Sequence, residues 1–370
     1  MKFTCDKAAL SAAIATASRA AAVRSPIPAL EGLLLEATVS VKLTGYDLKK
    51  GVYTTMEATV KEPGAAVLGA RLFGEIVRKL PDGPVSVSVD TGNVAVIRAG
   101  NTEFSVMGSP AEDYPELPSM DYRSTVSLPQ EVMARMIEET NFAVSDNESR
   151  PIYTGALFEI ENDEMTLVAV DGYRLALRRE PISRCDVEQC SFVVPGAALS
   201  DLEKIGSTTE EEVKITVGSK HASFTVGNTV LISRLLEGEF LNYRKTVPKD
   251  FSITVDVERA DIIRSAERVS LVIDDRTKNP LRCFFGVGEL QMTCATPLGK
   301  AEDLCPIEGD GGSLEIGFNN RYLLDALKAA PAEKLTVCLN TSSAPCVIRP
   351  EDGNESFVYM ILPVRLRAGE

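Results

Sequence analysis

Few side chains in this sequence have the type and spacing that covalent chemistry needs. Its one histidine, His221, stands in Ser219-Lys-His-Ala-Ser-Phe224, a polar approach to a strand with no nucleophile pattern nearby. An imidazole acts as a base only beside a group that gives or takes its proton, so this one reads as structural or exposed. Asp274-Asp275 could hold a cation, but paired acids in a loop usually face water. Cys185 and Cys190 are the closest pair among 8 cysteines, and their spacing matches no common zinc pattern. No GxSxG, P-loop or HExxH motif is present, and Gly286-Val-Gly288 lacks the rest of a dinucleotide fingerprint. The expectation is a non-catalytic chain that uses no metal and no cofactor.

The chemistry left is recognition. In Val168-Ala-Val-Asp-Gly-Tyr-Arg-Leu-Ala-Leu177, alternating apolar residues run into Asp171-Gly172 and alternate again beyond it. An Asp-Gly step between two such runs predicts a tight hairpin, because the turn needs a residue with positive φ. The plain reading is one hairpin of a sheet. The sharper reading is that Gly172, Tyr173, Arg174 and Leu175 also line a binding pocket.

The elements that would carry this hairpin recur three times along 370 residues. Helical patterns are read at 6–19 and 70–80, at 130–140 and 197–205, and at 258–269 and 320–328. Between them lie alternating runs at 33–37, 39–43, 85–89, 94–98 and 103–107, then 155–160, 165–170, 173–177, 213–217, 223–226 and 230–233. The last set is 251–255, 283–287, 290–294, 335–339, 346–348 and 357–363. The approaches to the second helix of each set, Gly69-Ala70, Val194-Pro195 and Phe318-Asn319, recur at steps of about 125 residues, as do the loops at Asp113-Tyr-Pro115 and Glu239-Phe-Leu241. A period that long is a whole domain. Domains are expected at 1–121, 122–249 and 250–370, each α+β with two helices and antiparallel sheets.

Composition narrows the class further. With 44% hydrophobic and 25% charged residues the chain is expected to be globular, and no apolar run reaches the length of a membrane span. The start, Met1-Lys-Phe-Thr-Cys5, has no apolar signal core, and scattered cysteines read as reduced thiols, so a cytoplasmic protein is expected. A net charge of −14 argues against gripping nucleic acid by bulk electrostatics. The distribution is less one-sided: the helical spans carry slightly more Lys and Arg than Asp and Glu, leaving the acidity on strands and loops. That is either chance or the mark of helices that face a polyanion.

Three copies in this order resemble the bacterial sliding clamps, the β subunits of the replicative DNA polymerase III. Met1-Lys-Phe-Thr, Leu43-Thr-Gly-Tyr-Asp-Leu48, Val168 to Leu175, Phe240-Leu-Asn-Tyr-Arg244 and Pro363-Val-Arg-Leu366 stand where that family has similar segments. The resemblance implies a head-to-tail homodimer forming a six-domain ring, helices inside and sheets outside. It implies a processivity factor of DNA replication that encircles duplex DNA, regardless of sequence, at replication forks of the nucleoid. It implies short-motif clients: the polymerase III catalytic subunit, the clamp loader, other polymerases and repair proteins.

By position, the family's peptide-binding cleft falls on Tyr153, Val170, Gly172, Tyr173, Arg174, Leu175 and Leu177. It continues with Leu241, Lys245, Thr246, Cys346, Met360, Leu362, Pro363, Val364, Arg365 and Leu366. An apolar groove with a few polar edges suits small peptide anchors. Leu241 stands where a proline is common and Tyr173 where a histidine often is. Arg367 to Glu370 continue past the usual end, as a tail that folds over the cleft or hangs free. DNA-facing candidates are Arg24, Arg71, Arg78, Lys79, Arg150, Lys204, Arg264 and Arg268, each otherwise an ordinary solvated charge. Phe104 and Met107 on an edge strand are expected to meet Val272 and Ile273 of the second subunit. The competing readings are an enzyme, which the motif survey disfavours, and a triplicated peptide scaffold that shares the cleft and forms no ring.

Overall fold

The computed structural model describes residues 1–186, 188–205, 211–274 and 279–366. Two compact units are formed, one from Met1–Met133, Ser183–Val187 and Ala197–Leu235, the other from Ala134–Ile182, Glu188–Gly196 and Leu236–Glu370.

In the first unit a five-stranded antiparallel sheet runs in the order Thr59–Glu62, Lys2–Asp6, Pro84–Val89, Val94–Ala99, Thr102–Met107. A nine-stranded sheet runs from Arg184–Cys185 through Ser124–Pro129, Glu212–Val217, His221–Val226 and Thr229–Arg234, then on to Lys50–Met56, Val41–Tyr46, Gly32–Ala37 and Gly64–Gly69. Strands of the first and second repeats thus share one sheet, joined where Thr229–Arg234 pairs with Lys50–Met56. The helices Lys7–Ala17 and Ala70–Lys79 pack together over a core that includes Phe3, Leu10, Ile14, Leu35, Phe73 and Val87. Asp6 caps the first helix, accepting from the amides of Ala8 and Ala9 at 2.8 and 3.2 Å. Asp201 holds both Lys50 and Arg19, which ties the second helix of the second repeat to this sheet.

The second unit holds a ten-stranded sheet. Its order is Gln189–Pro195, Gly155–Glu161, Glu164–Val170, Arg174–Pro181, Phe357–Ile361, Cys346–Pro350, Lys334–Leu339, Ile253–Glu258, Gly299–Phe318 and Leu281–Thr296. Here the second repeat meets the third through Arg174–Pro181 and Phe357–Ile361. The helices Arg259–Ser270 and Asn320–Ala329 pack against one another, the latter capped by Asn319.

The α+β class, the antiparallel sheets and two helices per repeat are as expected. Three stretches differ. The runs at 283–287 and 290–294 belong to one strand, Leu281–Thr296, whose register shifts near Gly286–Gly288 interrupt the alternation. Its partner Gly299–Phe318 and the strands between Lys50 and Gly69 are absent from the expected set. No helix among the described residues is long and apolar enough to cross a membrane.

Candidate functional site

The hairpin of Glu164–Val170 and Arg174–Pro181 turns at Asp171-Gly172-Tyr173. Gly172 has φ +94°, which a Cβ would strain, and Asp171 Oδ1 accepts from the amides of Tyr173 and Arg174 at 2.8 and 3.0 Å. Successive strand residues face opposite sides, so register decides what can line a groove. Val170 lies opposite Leu175, Leu175 opposite Met360, Met360 opposite Val347, and Val347 opposite Cys338. A second row on the same face runs Leu157, Val168, Leu177, Val358. These residues form one buried cluster with Tyr243, and Tyr153, Leu241, Ile152 and Phe240 pack on it half-buried. The rings of Tyr153 and Phe240 meet edge to face at 5.7 Å.

An exposed rim borders this apolar bed. Tyr173 is 62% exposed and stacks on Tyr322, ring centroids 6.1 Å apart. Lys245 and Thr246 are exposed on the turn Tyr243–Thr246, where Asn242 Oδ1 accepts from the Lys245 amide at 3.2 Å. The last segment passes along the hairpin tip, with the Leu362 amide donating to Tyr173 O and the Val364 amide to Gly317 O, both at 2.8 Å. Leu362 and Arg365 are exposed, while Pro363, Val364 and Leu366 are half-buried. Leu366 lies against Gly317, where a Cβ would approach Leu366 Cδ2 to 2.6 Å.

Two residues grouped with the cleft by sequence lie on the other face. Arg174 pairs across the sheet with Ile361, and Ile361 with Cys346, a row opposite in facing to Leu175 and Met360. The Arg174 guanidinium is buried. Its Nε donates to Asp171 Oδ2 at 3.0 Å, Nη1 to Asp325 Oδ2 at 2.6 Å and Nη2 to Phe142 O at 2.6 Å, and it lies between the Phe142 and Tyr322 rings. It braces the hairpin tip from behind and does not line the groove. Cys346 is buried as well, and burial pushes its thiol far above the usual cysteine range, leaving Val347 to fill the groove side. Sequence reasoning missed Val347, Val358, Tyr243 and Phe240, although period-two alternation beside Cys346 and Met360 points to the first two.

Of the cations, Arg24, Arg78, Lys79, Arg150 and Lys204 are exposed, with no carboxylate in ion-pair reach among the described residues. Arg71 pairs with Glu75 at 3.1 Å, Arg264 with Asp261, and Arg268 with Asp303, so these three are partly neutralised. Phe104 (37% exposed) and Met107 (73%) sit on Thr102–Met107, one of the two edge strands of the five-stranded sheet. Val272 and Ile273 are half-buried, whereas their neighbour Leu271 is 84% exposed and Leu298 is 72%. His221 is half-buried, and burial holds its pKa below the usual imidazole value. Asp275 and Arg367–Glu370 lie outside the described residues, among which no His, Cys, Asp and Glu cluster could hold a metal.

Three sequence models of the DNA polymerase III beta subunit match in succession: the N-terminal domain at residues 1–118, the central domain at 127–242 and the C-terminal domain at 244–365. The beta sliding clamp of Staphylococcus aureus is 32% identical over 358 residues, covering 94% of each chain. That of Bacillus subtilis is 31% identical, covering 99% of this chain and all of its own. The solved sliding clamp of Bacillus subtilis superposes with a TM-score of 0.94 at 30% identity, over 99% of this chain and 100% of that one. A Pseudomonas aeruginosa clamp bound to griselimycin gives 0.93 at 26%, with the same coverage. The chain belongs to the DNA polymerase III beta subunit family, the β sliding clamps.

Proposed function

We propose that two copies of this chain join head to tail around duplex DNA and hold clients of the replication fork through the apolar groove beside Leu175. The chain is a non-catalytic accessory subunit, and enclosure takes the place of tight phosphate contacts. That reconciles a net charge of −14 with life on DNA. Arg24, Arg78, Lys79, Arg150 and Lys204 are the inward charges of this reading, and Arg71, Arg264 and Arg268 contribute less because each already faces a carboxylate. The three domains are taken as 1–121, 122–249 and 250–370, working in the cytoplasm. Clients are the polymerase III catalytic subunit, the clamp loader, other polymerases and repair proteins.

The observation that carries the reading is the row Val170–Leu175–Met360–Val347, an apolar bed rimmed by exposed Tyr173, Leu362, Arg365 and Lys245. Clefts of this make-up take short peptide anchors, with the polar rim fixing register. Replacing Leu175 and Leu366 together by Ala is expected to weaken a labelled polymerase-tail peptide by roughly tenfold or more. Leu175 is buried, so the double variant is expected to melt lower while staying folded and dimeric, and the peptide is titrated well below its melting point. Unchanged peptide affinity would move the client site elsewhere on the chain.

A further inference from the structure

A second groove, about 630 Å³ in volume, lies on the same sheet face beyond Leu177. One side is the strands carrying Leu177, Arg179, Val347, Arg349 and Val358; the other is the segment from Tyr243 to Phe251. Leu177, Val347 and Val358 belong both to this groove and to the apolar bed of the cleft, so the two are continuous.

Its charges are unevenly matched. Arg244 pairs with Glu159 and Glu161 at 2.6 and 3.0 Å, and Arg179 with Glu355 and Glu164 at 2.7 and 3.8 Å. Those four carboxylates hold two arginines between them. Arg349 and Lys249, also lining the groove, have no carboxylate in ion-pair reach among the described residues. Arg349 Nε is buried without a hydrogen-bond acceptor; the guanidinium lies 5.8 Å from the Phe251 ring and interacts with the Cys338 thiol, whose pKa burial nonetheless raises. Nε itself is shut off from the groove, so an incoming carboxylate would pair with the groove-facing end of this half-buried guanidinium.

We infer that this groove receives an acidic segment flanking the apolar anchors of a bound client peptide, its carboxylate held by Arg349 and Lys249. The inference rests on the cleft reading above. A nucleic-acid strand fits poorly, since Glu159, Glu161, Glu164 and Glu355 would repel successive phosphates. A single acidic side chain can reach the Arg349 end alone, and continuity with the cleft delivers it there at high effective concentration.

The test uses the full-length dimer and five labelled forms of one polymerase-tail peptide: unextended, with one Glu added at one end or the other, and with one Gln added at the same places. One Glu extension is expected to tighten binding about fivefold at low salt, with no gain from Gln. Arg349→Met with Lys249→Ala should abolish the gain and leave the unextended peptide unchanged. Lys249→Glu alone, at an exposed position, should turn the gain into a loss. A Glu gain that survives these substitutions, or no gain at either end, overturns the inference and leaves the cleft standing. Indifference of the unextended peptide to Leu175→Ala removes the cleft reading and this inference with it.

Discussion

Glu139 lies just past the helix Gln130–Glu138, its Oε2 3.0 Å from Arg178 Nε. Such a partner alone would hold a carboxyl low. Burial outweighs it and lifts the Glu139 pKa to about 7, against attraction from Arg178 and Arg135. Arg178 is also shared with Glu180, which dilutes its hold. The folded state therefore binds this proton more tightly than the unfolded chain, whose carboxyl titrates near 4.5. The resulting stabilisation is fully present below pH 4.5 and is lost as pH rises through about 7. Glu139→Gln removes the titration while keeping the side-chain volume. The stability of the parent relative to this variant is expected to fall by on the order of 2 kcal/mol between pH 5 and pH 8. Melting curves across that range check it, and a parallel pH profile for the two proteins would sink the assignment. Arg174 teaches a different lesson at the same scale. Its partner Asp171 is legible in the sequence, three residues away, but Asp325 and Phe142 are distant and come together only in the fold. Strand alternation alone separates Arg174 from Leu175; carrying a family's site over as a continuous run blurs it.

Elements were legible where local chemistry marks their ends. Asp6 and Asn319 cap their helices, and Pro81-Asp-Gly-Pro84 stops another at Lys79. The strand Gly299–Phe318 was not legible, because Gly309, Gly311 and Gly312 and a run of acids break its alternation. Its far end matters to the candidate site. Gly317 lets Val364 pair with it and gives Leu366 room, so the last segment is latched to the sheet behind the cleft. In Gly317→Ala the new Cβ would stand 2.6 Å from Leu366 Cδ2 and 2.8 Å from Val364 O, one of them backbone. The segment must shift, carrying Leu362 and Arg365 away from the rim. Peptide affinity should drop roughly fivefold to tenfold for a loss of about 1 kcal/mol or less in stability, since only a terminal segment moves. Full peptide affinity in this variant would show that the latch does not shape the cleft.

At the scale of the molecule, the two long sheets absorb the strands where repeats meet, but each unit keeps unpaired edges. Among the edge strands of the first unit is Thr102–Met107, bearing Phe104 and Met107; among those of the second is Leu281–Thr296, bearing the exposed Val287. Near that second edge in sequence stand Leu271 and Leu298, both largely exposed. Open edges with exposed apolar side chains invite pairing with another chain, and natural proteins seldom leave them bare. Two different edges on one chain make a heterologous joint, which closes into a ring only if the rotation between copies closes. Phe104→Ser with Met107→Glu places a charge where this joint would be dry. The association constant of the pair is expected to fall by roughly 100-fold, the scale of losing a central apolar contact. Mass in solution should then shift toward the single chain at micromolar concentration, with each chain still binding the client peptide. Retention on closed circular DNA should be lost in the same variant, while the parent stays on a closed circle and leaves when it is cut. A variant that keeps twice the chain mass would put the joint at other surfaces. A parent that dissociates from closed circles as fast as from cut ones would favour a peptide scaffold over a ring, whatever its mass.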